Sequence, residues 1–131
     1  MNKILTEQIV QQLPNRSLEE LTQHFLNKNH VLSRSMAAIQ IGLSMHSNYP
    51  KYSQLLLQEM TNEIHFEYPK LGISSAWTIA VILAENLKQK DYYKLKKEFS
   101  KWSSEEKDSL FDWLKNYPEQ RNILEYGKIN P

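Results

Sequence analysis

The sequence predicts an all-α protein, and three observations carry that prediction. Apolar residues recur at three- and four-residue spacings along most of the chain, and no alternating strand pattern runs longer than four residues. Helix breakers are scarce, three Gly and five Pro in 131 residues. The stretch Ala76–Ala84 carries a single polar residue, Thr78, so its apolar surface wraps all the way round. A helix that is apolar on every side must be buried by neighbours on every side, and this one is too short for lipid, since a membrane span needs about 20 apolar residues. The expected fold is seven or eight helices in antiparallel hairpins around that central helix, a short HEAT-like or α-solenoid-like bundle. Residues 1–131 are read as a single helical domain.

The first helix is expected from about Asn2 to Gln12, with Leu5, Ile9 and Leu13 on one face and Pro14 ending it. Ser17-Leu18-Glu19-Glu20 has the spacing of a capping box, in which hydroxyl and carboxylate satisfy orphan amides at a helix start. The helix behind it shows Leu18, Leu21 and Phe25 and stops near Asn27 to Asn29. A third, from about Ser33, carries Met36, Ile39 and Leu43 inward. On its flank Ala38 and Gly42 lie one turn apart, allowing another backbone to come close. Gly costs about 1 kcal/mol of helix propensity, which points to a packing reason for it.

Asn48-Tyr49-Pro50 reads as a corner, with Pro in the first turn of a fourth helix, where its missing amide costs nothing. Tyr52, Leu55, Leu56, Met60 and Ile64 form that helix's buried stripe. Glu67 to Ile73 is the clearest interruption, because Pro69 biases Tyr68 towards extended backbone and Gly72 breaks helix. The central helix follows from Ser74 or Ser75. A sixth starts near Asp91 with Tyr92, Leu95, Phe99 and Trp102 inward. Ser103-Ser104-Glu105-Glu106 is a second capping box, opening a seventh helix that buries Leu110, Phe111 and Leu114. Tyr117-Pro118 opens a short eighth helix with Ile123 and Leu124, and Gly127 is its C-terminal cap.

An internal repeat sets the expected architecture. A shift of forty residues places Ser35 on Ser75, Ile39 on Ile79, Ile41 on Val81, Leu43 on Leu83, Tyr52 on Tyr92 and Leu55 on Leu95. Two hairpins, 33–64 and 74–101, match without a gap, at the period of HEAT-like or armadillo-like helix pairs. The flanking helices then serve as capping pairs. Leu43 is expected to be as buried as its counterpart Leu83.

Sixteen Lys and Arg against fifteen Asp and Glu leave a net charge of +1, which argues against a dedicated duplex-DNA binder. Locally, 88–101 holds six lysines against Asp91 and Glu98, a charge of +4. Residues 102–126 hold six acids against Lys107, Lys115 and Arg121, a charge of −3. There is no cysteine, hence no disulfide framework or thiolate chemistry. Thr6, Glu7 and Gln8 interrupt the apolar start, and no membrane-length stretch follows, so the expected location is the cytoplasm.

Four histidines occur, and none has a second at helical spacing, so neither a metal nor a cofactor is expected. His24 is expected at the surface. Glu63, His65 and Glu67 alternate at the end of the fourth helix and read as a solvated polar end. The carboxylate pairs Glu19-Glu20 and Glu105-Glu106 are accounted for by capping. There is no Gly-rich phosphate loop and no Gly-x-Ser-x-Gly turn. The chain is therefore expected to be no enzyme.

By elimination the leading class is a protein-binding module. Its candidate surface is the second helix of each hairpin, with Gln54 and Gln58 from one and Tyr93, Lys94, Lys97 and Lys101 from the other. Glu105, Asp108 and Asp112 are a further candidate face, favoured if the partner is basic. The alternative is an RNA- or nucleic-acid-associated regulator using the lysine-rich helix 88–101. Aromatics that stack bases must be exposed, and Tyr92 and Trp102 share the apolar face of Leu95 and Phe99. In size, helix count and lack of a catalytic motif the chain resembles the small all-helical immunity proteins of bacterial contact-dependent inhibition systems. That resemblance implies a protein that binds and blocks a cognate toxin domain, often a nuclease, with neither cofactor nor membrane. Many nuclease inhibitors are strongly acidic, whereas this chain is neutral, with only 105–112 left to face a basic toxin.

Overall fold

The computed structural model describes residues 1–4, 20, 22–23, 31–67 and 73–130, with 31–33 described as backbone alone. These residues form six α-helices and no strand: α1 (Val31–Leu43), α2 (Tyr49–Glu59), α3 (Ser75–Asn86), α4 (Tyr92–Phe99), α5 (Ser104–Trp113) and α6 (Pro118–Tyr126). Six replaces the seven or eight expected. The first two expected helices lie mostly outside the described residues, as does His24. Residues 2–4 are not helical, while 20, 22 and 23 are. The fourth expected helix is also shorter, ending at Glu59, and Glu63–Phe66 forms a separate 3-10 turn. There Asn62 has extended backbone, and its side chain accepts from the Ile64 amide.

α3 is the hub. Ten of its twelve residues are buried, and only Trp77 and Asn86 are half-exposed. Three of its polar groups are satisfied within the helix or its cap, while Ser75, Trp77 and Glu85 bond to other elements. Ser74 accepts from the Trp77 amide at 3.2 Å, Thr78 donates to the Ser74 carbonyl, and Asn86 donates to the Ile82 carbonyl. A continuous apolar side wall therefore remains, and each of Ile79, Ile82 and Leu83 is worth about 1.5–3 kcal/mol when fully buried.

α1 makes the most extensive helix–helix contact on α3. Its buried face centres on Arg34, Ala37, Ala38 and Ile41, spaced i, i+3, i+4, i+7, and of the expected Met36–Ile39–Leu43 line only Ile39 is buried. Met36 and Leu43 are half-buried, so Leu43 is not the equal of wholly buried Leu83. The small residues explain the shift. A Cβ at Gly42 would stand 2.1 Å from Ile82 Cγ1, so the two helices touch where only hydrogen fits. Ser35 Oγ is the one buried side-chain polar atom without a hydrogen-bond partner among the described residues.

α2 and α4 flank this pair, and α4 buries Tyr92, Leu95 and Phe99 as the periodicity predicts, with Trp102 beyond its end. α5 starts at Ser103, whose hydroxyl accepts from the Glu106 amide at 3.2 Å, and it buries Leu110 and, just past its end, Leu114. Phe111 is half-buried, 5.4 Å from the Phe99 ring, and Trp113 lies 6.0 Å from Trp77. α6 packs on α4 and α3 and ends at Gly127, whose φ of 74° is the left-handed conformation a C-cap requires.

Candidate functional site

The neighbouring helices α2 and α4 leave between them a groove of about 700 Å³. Both of its ends are pinned. At one, Tyr49 Oη donates to Asp91 Oδ2 at 2.6 Å and accepts from the Lys88 amide at 2.9 Å, while Lys88 Nζ sits 4.5 Å over the Tyr49 ring. Lys94 completes the cluster, 3.3 Å from Asp91 Oδ1. Burial and then the bond to Asp91 push the Tyr49 hydroxyl up to about 12. The same bond, with help from Lys94, holds the Asp91 carboxyl below its usual range against the cost of burial. At the other end, Trp102 Nε1 donates to the Met60 carbonyl at 2.8 Å. Each clamp joins residues 42 apart in sequence, so α2 and α4 run parallel.

The mouth is polar. Gln54 and Gln58 project from α2, Tyr93, Lys94 and Lys97 line the side of α4, and Lys90 stands in the 3-10 turn just before it. Tyr93 is 63% exposed, the most exposed large apolar side chain described. Ser53 and Leu57 lie deeper, with the Ser53 hydroxyl turned back to the Tyr49 carbonyl. Of the charges here, Asp91 is held by Tyr49 and Lys94, and Glu98 by Lys101 at 2.9 Å. Lys90 and Lys97 make no ion pair among the described residues, so the groove presents net positive charge.

Five of the nine residues singled out from sequence thus share one concavity: Gln54, Gln58, Tyr93, Lys94 and Lys97. Lys101 lines an adjoining hollow with Phe66 and Trp102. Asp108 lines a third, of about 270 Å³, between α4, α5 and α6. Glu105, Asp108 and Asp112 are all exposed and spaced i, i+3, i+7, one stripe along α5. The structure therefore separates a basic groove from an acidic stripe.

Sequence reasoning missed two buried polar networks. In the first, Arg34 is wholly buried and donates from Nε to Ser75 Oγ and from a terminal nitrogen to Glu67, both at 3.3 Å. His65, also wholly buried, meets Ser75 Oγ through Nδ1 at 2.9 Å and Glu59 through Nε2 at 3.2 Å. His65 is thus no part of a solvated helix end, and its neighbours Glu63 and Glu67 are exposed. Hydroxyl, imidazole and carboxylate stand in the order of a nucleophile, a base and its orienter. Ser75 and His65 have no exposed surface, so no substrate carbonyl can reach the hydroxyl in this conformation. The network braces the junction of α1, α2 and α3.

In the second, buried Glu85 accepts from the Ile4 amide at 2.7 Å and from Gln120 Nε2 at 2.9 Å, and Gln120 also donates to the Asn2 carbonyl. A signal existed for both. Arg34 completes the stripe of Ala37, Ala38 and Ile41, and Gln120 that of Ile123 and Leu124. A polar residue completing an apolar stripe marks a buried, hydrogen-bonded group.

Among the described residues no three His, Cys, Asp or Glu stand together as a metal site, and no helix is long and apolar enough to cross a membrane. Comparison with protein-family models, with curated proteins and with solved structures gives no match.

Proposed function

We propose that the chain is a non-catalytic protein-binding module that docks its partner in the α2–α4 groove, and that the partner is a cognate toxin domain which it neutralises. One observation carries the reading: two parallel helices pinned at both ends hold a preformed, polar-mouthed groove with an exposed tyrosine at its rim. A preformed groove avoids the ordering cost that binding otherwise incurs, and Tyr is a frequent anchor of protein interfaces.

Repeat geometry supports the same view. Gly42 meets Ile82, Arg34 meets Ser75, Tyr49 meets Asp91 and Met60 meets Trp102, separations of 40 to 42 residues. Two like hairpins stacked in parallel give this pattern, and in HEAT-like arrays the second helices line the binding surface. Lys90 and Lys97 ask for acidic groups on the partner. Too few cations stand unpaired here for phosphate recognition, which typically enlists six to ten contacts.

The test is protection. The chain is coexpressed with the toxin domain encoded beside it, and growth is followed. Rescue by the native chain is expected, lost in Lys97→Glu and Tyr93→Ala and kept in Lys115→Glu. Like charges brought together across an interface cost several kcal/mol, whereas such exposed sites alter stability by no more than about 0.5 kcal/mol. Rescue that survives every charge reversal in the groove refutes the placement. Failure to rescue, with binding of single-stranded RNA that weakens steeply with salt, transfers the groove to nucleic acid, with Tyr93 as the stacking platform.

A further inference from the structure

The groove has a complement on the same chain. Its α4 wall carries Lys94 and Lys97, with Lys90 in the 3-10 turn Gln89–Asp91 just before the helix, spaced four and then three residues. The exposed stripe of α5 carries Glu105, Asp108 and Asp112, spaced three and then four. Read in opposite directions the two series have the same spacing, the acids spanning about 10 Å at 1.5 Å per residue. An α5 helix laid antiparallel to α4 sets Glu105 beside Lys97, Asp108 beside Lys94 and Asp112 beside Lys90. The acids make no ion pair among the described residues, and neither do Lys90 and Lys97. Within one molecule the match is impossible, because α5 is held by its other face, through Leu110 and Trp113, which leaves the acids outward.

We infer that, in the absence of its partner, the groove of one molecule is covered by α5 of a second copy of this chain. This rests on reading the groove as a docking surface. The two contacting surfaces differ, so the association is head-to-tail and extends beyond two copies unless it closes into a ring. Partner binding and self-association then compete for the same lysines.

The test is mass against concentration, by light scattering or sedimentation. The native chain at low salt is expected to gain mass with concentration and to return to monomer near 0.5 M salt, where the screening length falls to about 4 Å. Lys97→Asp and Asp112→Lys each weaken association by at least about tenfold, and because 97 and 112 do not face each other the two changes cannot compensate. Mixed in equal amounts, they form a dimer that grows no further, since one sound groove meets one sound stripe. A native chain that stays monomeric at low salt overturns the inference, as does association that either variant retains or a mixture that stays monomeric. Asp112→Lys also separates this inference from the reading beneath it. Its groove is intact, so it should still protect against the toxin while no longer self-associating. Self-association as described without protection by the native chain would leave this contact standing and remove the toxin.

Discussion

Gly42→Ala tests the contact on which the α1–α3 pair depends. In isolation the substitution should help, since Ala is favoured over Gly in a helix interior by about 1 kcal/mol. Here the new methyl would lie 2.1 Å from Ile82 Cγ1, 3.0 Å from Cδ1 and 3.4 Å from Cβ. Ordinary contact begins near 3.4 Å, so the nearest atom must retreat by about 1.3 Å. Ile82 cannot supply that by rotation, because Cγ1 is attached to a β-branched carbon with one strongly preferred rotamer in a helix. The helices must part instead, and overpacking of this kind costs about 1–3 kcal/mol. The net expectation is a loss of up to about 2 kcal/mol in urea melts. The cause is checked by a cycle. Ile82→Ala alone should cost about 2–5 kcal/mol through its cavity. In that background Gly42→Ala should turn neutral or stabilising, a coupling of at least about 1 kcal/mol. Stabilisation by Gly42→Ala in the native background would refute the close approach.

The remaining predictions concern the core and the groove clamp. Leu83→Ala should cost about 2–5 kcal/mol and Leu43→Ala less than half as much in the same melts, because Leu43 is only half-buried. Tyr49 ionises near 10 unfolded and about 12 folded, so its contribution is complete below pH 10 and is lost as pH rises towards 12. Asp91 contributes in the opposite sense: its carboxyl is lowered from 3.8, so its contribution is present above that value and lost as pH falls below it. Stability measured against pH should decline less steeply between 10 and 12 in Tyr49→Phe than in the native chain, the remainder including buried Tyr92, whose hydroxyl is also raised. An unchanged alkaline limb would show that the hydroxyl does not bridge α2 to α4.

What could be read from the sequence was what depends on neighbours one turn away. The all-apolar run of α3 and its start at Ser74 or Ser75, the serine cap at Ser103, the Gly127 stop and the Tyr92–Leu95–Phe99–Trp102 stripe are all local patterns, and each has its expected place. Gly42 was readable as a site of close approach, though its partner Ile82 emerged only from the packing. His65 and Glu85 were not readable as buried, because burial of a polar group requires a partner to be present. Those partners, Ser75, Glu59 and Gln120, lie on other elements. The end of α2 was misplaced for a related reason: Met60 and Ile64 continue a helical period, and only the turn around Asn62 breaks it. For the groove, exposed residues on two helices could be named, but that α2 and α4 lie alongside each other is a property of the clamps at Tyr49 and Trp102.

The bridge from Glu85 and Gln120 to the backbone at Asn2 and Ile4 also bears on when the protein can finish folding. Asn2 is joined to Gln120 across 118 residues of chain. Ribosomes add about 5–20 residues each second, so Asn2 waits several seconds before Gln120 has even been made. During that interval the carboxylate of Glu85 can meet the Ile4 amide but not Gln120, so the bridge stands half-made. The bridge is therefore complete only after α6 arrives, and the backbone at Asn2 should be held by Gln120 in a released full chain and not in a ribosome-stalled chain ending before residue 118.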